Sequence, residues 1–331
     1  MANPILGLDI GGANLKAAHT NGAARSVPFA LWKNPGGLTA ELRRLMDTMP
    51  AHERIAVTMT GELCDCYETR HGGVLAILQS ALAAAGATPV RVWSTSGCFI
   101  DPQQLQLEPL RVAACNWLAQ AHFVAQRFPD RCALLIDTGS TTTDIVYLNR
   151  GHAEPNCLVD ADRLASGELV YTGIRRTPIS AVLGLQGQVA AEFFATMLDA
   201  YVFAGLLPED ADDRDTADGR PLTRAFAHAR LARMRCADAE TFSEAQARML
   251  AEQAVAVQTT AVVEACQRVL TAKPPAECAI ASGSGAMLGR RVAGRLRLPV
   301  TSLDELLGPQ LSEAACAYAV ACLAQQESAH A

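Results

Sequence analysis

Two turns of one design narrow the folds open to this chain. The stretches Ile5-Leu6-Gly7-Leu8-Asp9-Ile10-Gly11-Gly12-Ala13-Asn14-Leu15-Lys16-Ala17-Ala18 and Ala133-Leu134-Leu135-Ile136-Asp137-Thr138-Gly139-Ser140-Thr141-Thr142-Thr143-Asp144-Ile145-Val146-Tyr147 each read as strand, tight turn, strand. Short apolar runs bounded by glycine-rich turns carry that signal. A shift of 128 residues lays Asp9 on Asp137, Gly11 on Gly139 and Gly12 on Ser140. Turn residues (Asn21-Gly22 and Asn149-Arg150-Gly151) close both second strands. A period this long is a duplication at domain scale and excludes a solenoid.

Alternating signals follow each hairpin. The pattern predicts helices over 38–49, 74–85 and 110–126 with strands over 54–58 and 90–93. After the second hairpin it predicts helices over 179–205, 222–234 and 243–271, a strand over 278–281 and a closing helix over 312–326. Strands alternating with helices imply an α/β protein with mixed, helix-covered sheets. In 331 residues the expected division is a first lobe over 1–129 and a second over 130–331, the latter with a helical insertion over about 179–271.

Half of the residues are hydrophobic, enough for a sizeable core. A net charge of −6 gives no reason to expect a nucleic-acid or anionic-membrane surface. Eleven cysteines, odd in number and irregularly spaced, read as reduced thiols. There is no basic leader pattern, and no stretch reaches roughly 18 uncharged apolar residues. A cytoplasmic protein is the expectation, and a homo-oligomer is compatible with it. Cys64-Asp65-Cys66 with His71 lacks a second pair to complete a four-ligand metal set. The acidic stretch over 208–220 does not fit a calcium loop and reads as a solvated surface loop.

The chain holds no Gly-Lys-Ser/Thr, H-E-x-x-H or G-x-S-x-G, and Gly283-Ser284-Gly285 misses the dinucleotide spacing. What remains is the pair of Asp-x-Gly turns. Such a turn exposes backbone N–H groups that can cradle phosphate oxygens. A carboxylate at the strand end suits Mg²⁺ directly or through water. Ser140 to Thr143 add hydroxyls on the second turn. Lys16, one of only three lysines, lies on the strand leaving the first. Two structural hairpin turns are the plainer alternative.

This constellation resembles the actin, sugar-kinase and Hsp70 superfamily, which implies two ribonuclease-H-like lobes with an interlobe cleft. The late turn Ser282-Gly283-Ser284-Gly285 would take the place such folds give to a nucleotide-side loop. A resemblance covering nearly the whole chain is to the hydantoinase A/oxoprolinase-related proteins of tetrahydromethanopterin-linked one-carbon metabolism, similar to the condensing enzymes of methanofuran biosynthesis. It is carried by the first hairpin, by Met59-Thr60-Gly61-Glu62-Leu63-Cys64-Asp65-Cys66, and by the second hairpin. Gly167-Glu168-Leu169-Val170-Tyr171-Thr172-Gly173-Ile174-Arg175-Arg176-Thr177-Pro178 and Thr216-Ala217-Asp218-Gly219-Arg220-Pro221 complete it. Where that family usually has alanine before the Asp65 position this chain has Cys64, leaving Cys66 as the family-like thiol.

The resemblance implies an aryl-ether condensation. A furanylmethyl diphosphate loses pyrophosphate as the phenol oxygen of a tyramine- or tyrosine-type amine attacks its methylene carbon. On that reading Asp9 and Asp137 position Mg²⁺, and Gly11, Gly12, Asn14, Gly139, Ser140, Thr141 and Thr142 face phosphate, with Gly283, Ser284 and Gly285 on the nucleotide-side loop. Lys16, Arg175 and Arg176 are charge clamps, although the arginine pair fits surface ion pairing equally well. The phenol, with a reference pKa of about 10, needs a base. Glu62, Glu168 and Asp144 are the candidates, each glutamate being equally at home as a helix-start carboxylate. Two other readings stay open: an ATP-dependent amide hydrolase of hydantoinase/oxoprolinase type, with ATP bound, and a nucleotide-binding switch protein.

Overall fold

The structure, a computed structural model, describes residues 4–330, apart from the side chains of Gln106, Ala329 and His330. In chain order the elements are β1 (Ile5–Ile10), β2 (Asn14–His19), β3 (Ala24–Pro28), α1 (Leu38–Asp47), β4 (Arg54–Met59), α2 (Arg70–Ala85), β5 (Val90–Trp93), β6 (Phe99–Ile100) and α3 (Asn116–Ala125). Next come β7 (Cys132–Thr138), β8 (Thr143–Asn149), β9 (His152–Ala153), α4 (Asp160–Ser166), β10 (Leu169–Val170), α5 (Ile179–Leu183), α6 (Met197–Phe203) and α7 (Arg224–Arg233). The remainder are α8 (Glu244–Leu270), β11 (Cys278–Ser282), α9 (Ala286–Leu296), β12 (Val300–Ser302), α10 (Leu303–Leu307), α11 (Pro309–Glu313) and α12 (Ala315–His330).

The chain divides into two compact units. One takes the described chain up to Ala133, then Leu148–Asp160 and the residues from Leu303 onward; the other takes Leu134–Tyr147 and Ala161–Ser302. The boundary expected at 129/130 lies near the first crossing, and the chain then re-enters the first unit twice.

In the first unit the sheet order is β3-β2-β1-β4-β5-β6. β1 runs antiparallel to β2 and parallel to β4. Every residue of β1 is buried, as expected of a strand covered on both faces. Leu6, Leu8 and Ile10 share a core with Leu38, Leu42 and Leu45 of α1 and with Val74, Ile77 and Leu78 of α2. α12 covers β1 from the other side, an approach that needs small residues. A Cβ on Gly7 would stand 1.8 Å from the Ala317 carbonyl oxygen.

The second unit repeats the design, with sheet order β10-β8-β7-β11-β12. The central hairpin pair β7/β8 takes the place of β1/β2, and β11–β12 is parallel as β4–β5 is. α8, begun by a Ser243 and Gln246 capping box, packs with α6 and α7 in this unit's own core.

Two helices differ from expectation. The one predicted over 110–126 begins only at Asn116, because Ala114 takes a left-handed conformation (φ 45°) after a short helical turn over Pro109–Val112. The one predicted over 179–205 is the separate pieces α5 and α6. Gly184 and Gln188 sit at positive φ between them, and the Asp199 carboxylate accepts the Thr196 N–H at 3.0 Å where α6 begins. Most residues of this connection are exposed, Leu185 and Phe193 among them, so its apolar character marks neither a helix nor a core segment.

Candidate functional site

The two turns share one geometry. The Gly11 N–H donates to the Asn14 carbonyl at 3.1 Å and the Gly139 N–H to the Thr142 carbonyl at 2.8 Å, so the 128-residue correspondence extends to the closing hydrogen bond. Each turn is also held by its carbonyls. Gly12 O accepts from Leu31 N–H (2.9 Å) and Ala13 O from Phe29 N–H (2.9 Å). Gly139 O accepts from Ile174 N–H (3.2 Å), and Ser140 O from the N–H groups of Arg175 (3.1 Å) and Arg176 (2.9 Å).

In a trans peptide the C=O and N–H of one plane point opposite ways. Pinning Gly12 O therefore turns the Ala13 N–H outward. Pinning Gly139 O and Ser140 O does the same for the N–H groups of Ser140 and Thr141. None of these three amides donates to an acceptor among the described residues. Successive outward amides form an anion-receiving nest.

Around the first turn, the register sets Asp9 of β1 between Lys16 of β2 and Thr58 of β4. Neighbouring positions like these share a sheet face. Asp9 is buried, and Asn116 Nδ2 at the start of α3 donates to its Oδ1 at 3.4 Å. The Thr60 and Gly61 N–H groups both donate to the Ile10 carbonyl (3.0 and 3.2 Å), which ties the stretch after β4 to the end of β1. Glu62 follows at once and is buried. Its Oε1 accepts from Arg70 Nε at 3.1 Å, while Arg70 also pairs with Asp160 at 3.1 Å. Its Oε2 is buried with no hydrogen-bond partner among the described residues. Burial raises the Glu62 pKa, opposed by its backbone hydrogen bond and the Arg70 cation. α2 can lie this close only because position 73 is glycine: a Cβ there would stand 2.3 Å from the Glu62 carbonyl oxygen.

Around the second turn, the late glycine-rich turn lies directly against the end of β7. The Gly285 N–H donates to Thr138 O at 2.9 Å. A Cβ on Gly283 (φ 83°) would come within 2.2 Å of that same oxygen and 2.8 Å of Asp137 Oδ1. Ser284 stands exposed at its crest. Arg175 reaches Asp213 at 2.8 Å and Asp215 at 3.6 Å. The acidic stretch is thus a tethered loop and not merely a solvated one, for its Asp218 also pairs with Arg230 (2.9 Å) and Arg233 (3.1 Å).

The other two candidate bases are differently placed. Asp144 Oδ1 is engaged by Arg163 at 2.8 Å, and buried Glu168 accepts from Ser166 Oγ at 3.1 Å. Cys64 Sγ lies under the first turn, 2.7 Å from where a Gly12 Cβ would be. Burial pushes the Cys66 and Cys115 thiols up, which keeps them protonated and argues against either as a nucleophile. Among the described residues no group of three or more His, Cys, Asp or Glu side chains is placed to hold a metal ion. Lone carboxylates at strand ends still suit Mg²⁺, which keeps several waters and takes substrate oxygens. Arg70 and Asn116 escaped the sequence reading: Arg70 acts from the next element, and Asn116 lay inside a predicted helix.

The hydantoinase/oxoprolinase family profile matches residues 53–328. A relative from Methanocaldococcus jannaschii named (4-{4-[2-(gamma-L-glutamylamino)ethyl]phenoxymethyl}furan-2-yl)methanamine synthase is 35% identical over 245 residues, 71% of this chain and 72% of the relative. A protein of the same name from Methanococcus vannielii is 27% identical over 62% of this chain and 96% of its own length. Among solved structures, nucleotide-free acetone carboxylase aligns with a TM-score of 0.59 and 10% identity, covering 97% of this chain and 70% of that one. The archaeal actin homolog Ta0583 aligns at 0.50 and 12%, covering 97% and 99%. These structural likenesses speak for the actin-like fold alone. Among the described residues no helix is long and apolar enough to cross a membrane.

Proposed function

The chain belongs to the hydantoinase/oxoprolinase family, and we propose that it is a condensing synthase of methanofuran-type cofactor assembly, joining a furanylmethyl diphosphate to a phenolic amine with release of pyrophosphate. The observation that carries this is the 35% identity to the synthase whose printed product is a phenoxymethyl furan. Its phenoxymethyl link is the bond such a condensation makes.

The chemistry then follows from charge. Glu62, through Oε2, takes the proton of the phenol O–H. The phenol oxygen forms a bond to the methylene carbon as the carbon–oxygen bond to the diphosphate breaks, and that electron pair leaves with pyrophosphate. The outward amides of each turn, and Lys16 beside the first, are the donors suited to receive the charge that develops on the departing group. Fixed donors of this kind cost no reorganisation during reaction. Asp9 in one unit and Asp137 in the other are each a strand-end carboxylate that would hold Mg²⁺, which would supply further charge neutralisation to phosphate oxygens. Glu62 is ion-paired through Oε1 with Arg70 as Asp144 is with Arg163, and it is preferred because its Oε2 has no hydrogen-bond partner among the described residues.

The direct test mixes purified protein, Mg²⁺ and a furanylmethyl diphosphate with tyramine, tyrosine or gamma-glutamyltyramine. Pyrophosphate release that requires the phenol is expected. ATP turnover stimulated by a cyclic amide would overturn the reading. In parallel, Asp9→Asn and Asp137→Asn should each abolish Mg²⁺-dependent binding of inorganic pyrophosphate, measured by titration calorimetry, with circular dichroism unchanged. Binding that survives both changes would mean the phosphate site lies elsewhere.

A further inference from the structure

We propose that Gln258 of α8 is a positioning residue for the turn after Asp137, acting through Gly173. This rests on the reading of that turn as phosphate-facing. The side chain is buried, and both its nitrogen and its oxygen are engaged. Its Nε2 donates to Gly173 O at 2.9 Å and to Thr172 Oγ1 at 2.8 Å. Its Oε1 accepts from the buried Tyr201 hydroxyl of α6. On the other side of the same residue, the Gly173 N–H donates to Thr177 Oγ1 at 2.9 Å. Both peptide planes flanking Gly173 are thereby held, one by Gln258 and one by Thr177.

What they hold is the back of the nest. A Cβ on Gly173 would lie 2.6 Å from each of Gly139 O, the Ser140 carbonyl carbon and Thr141 N, so this backbone is flush with the turn. The next three N–H groups, of Ile174, Arg175 and Arg176, are those that pin Gly139 O and Ser140 O. A tilt of the plane at Gly173 swings these donors, and the amides of Ser140 and Thr141 swing with the carbonyls they oppose. Gln258 meets no ligand in this arrangement. It sets the direction of donors that do.

The test separates holding the fold from aiming the turn. Gln258→Met keeps apolar bulk but removes both donors and the acceptor. It should weaken Mg²⁺-pyrophosphate binding about tenfold, since small misplacements of a binding group have effects of that order or more. KM for the diphosphate should rise in step while KM for the phenol stays put. Adding Tyr201→Phe removes the hydroxyl left without an acceptor, so the double variant should recover melting temperature without recovering pyrophosphate affinity. Recovery of both together would make Gln258 a purely structural residue and overturn the proposal. Thr177→Val, which frees the other plane, should weaken the same ligand and serves if Gln258→Met does not fold. Unchanged pyrophosphate affinity in a folded Gln258 or Thr177 variant also overturns the proposal. Failure of the unaltered protein to bind pyrophosphate would instead remove the reading of the turn itself, and this inference with it.

Discussion

Replacing Glu62 by glutamine is expected to lower kcat by about 10²- to 10⁴-fold, the range for loss of a positioned general base, while the protein stays folded. Glutamine keeps the size and can still accept from Arg70, so the packing around α2 is preserved. The pH dependence sharpens the test. Burial holds the Glu62 pKa above its ordinary value, and the base works only when ionised. Activity should therefore rise with pH through a window above the usual carboxylate range.

The contribution of this group to stability runs the other way. A carboxyl whose pKa is raised by folding stabilises fully below its unfolded pKa, and that contribution is lost as pH rises through the folded value. The glutamine variant escapes the loss and should melt no lower than the parent protein at neutral pH. A kcat within about twofold of the parent would assign the base elsewhere, since even modest general-base effects exceed that.

The second large effect concerns folding. Gly7→Ala places a Cβ 1.8 Å from Ala317 O, 2.9 Å from the Ala317 carbonyl carbon and 3.1 Å from Ala321 Cβ. The first two atoms are backbone and cannot rotate away, so α12 must lift from β1. Overpacking of this kind costs about 3 kcal/mol, and the melting midpoint should fall by roughly 6–12 °C. Gly36→Ala is the control, because nothing lies within 4 Å of its added methyl. Exposed changes of that sort stay within about 0.5 kcal/mol. A Gly7→Ala protein that melts with the parent would mean that α12 does not sit on β1.

The parts legible in the sequence were those in which local pattern and tertiary role coincide. The correspondence of Asp9 with Asp137 is written in residues next to each other in the chain, and it reappears as two matching Gly N–H to carbonyl bonds. Glu62 was visible as a carboxyl in a glycine-containing stretch, but its orphaned Oε2 and its Arg70 partner were not. Both depend on α2 folding back over the stretch after β4. Gln258 sits on the buried face of a long, well-patterned helix, where an amide carries no local signal of a partner. The break at Ala114 was hidden for a related reason: burial on both sides makes a loop as apolar as a helix. For Arg175 the sequence left a charge clamp and surface ion pairing level, and the pairing with Asp213 is of the second kind, with a partner that the charges alone did not name.

The place of α12 on β1 has a consequence for synthesis. β1 is made early and is buried on both faces in the finished protein, yet one of its covers is translated only after the whole of the second unit. Until α12 has left the ribosome, the first sheet has an uncovered apolar face, a surface that invites misassembly. Ala161–Ser302 of the second unit, by contrast, form one uninterrupted run. The order of completion is therefore the reverse of the order of emergence: the unit begun first is finished last.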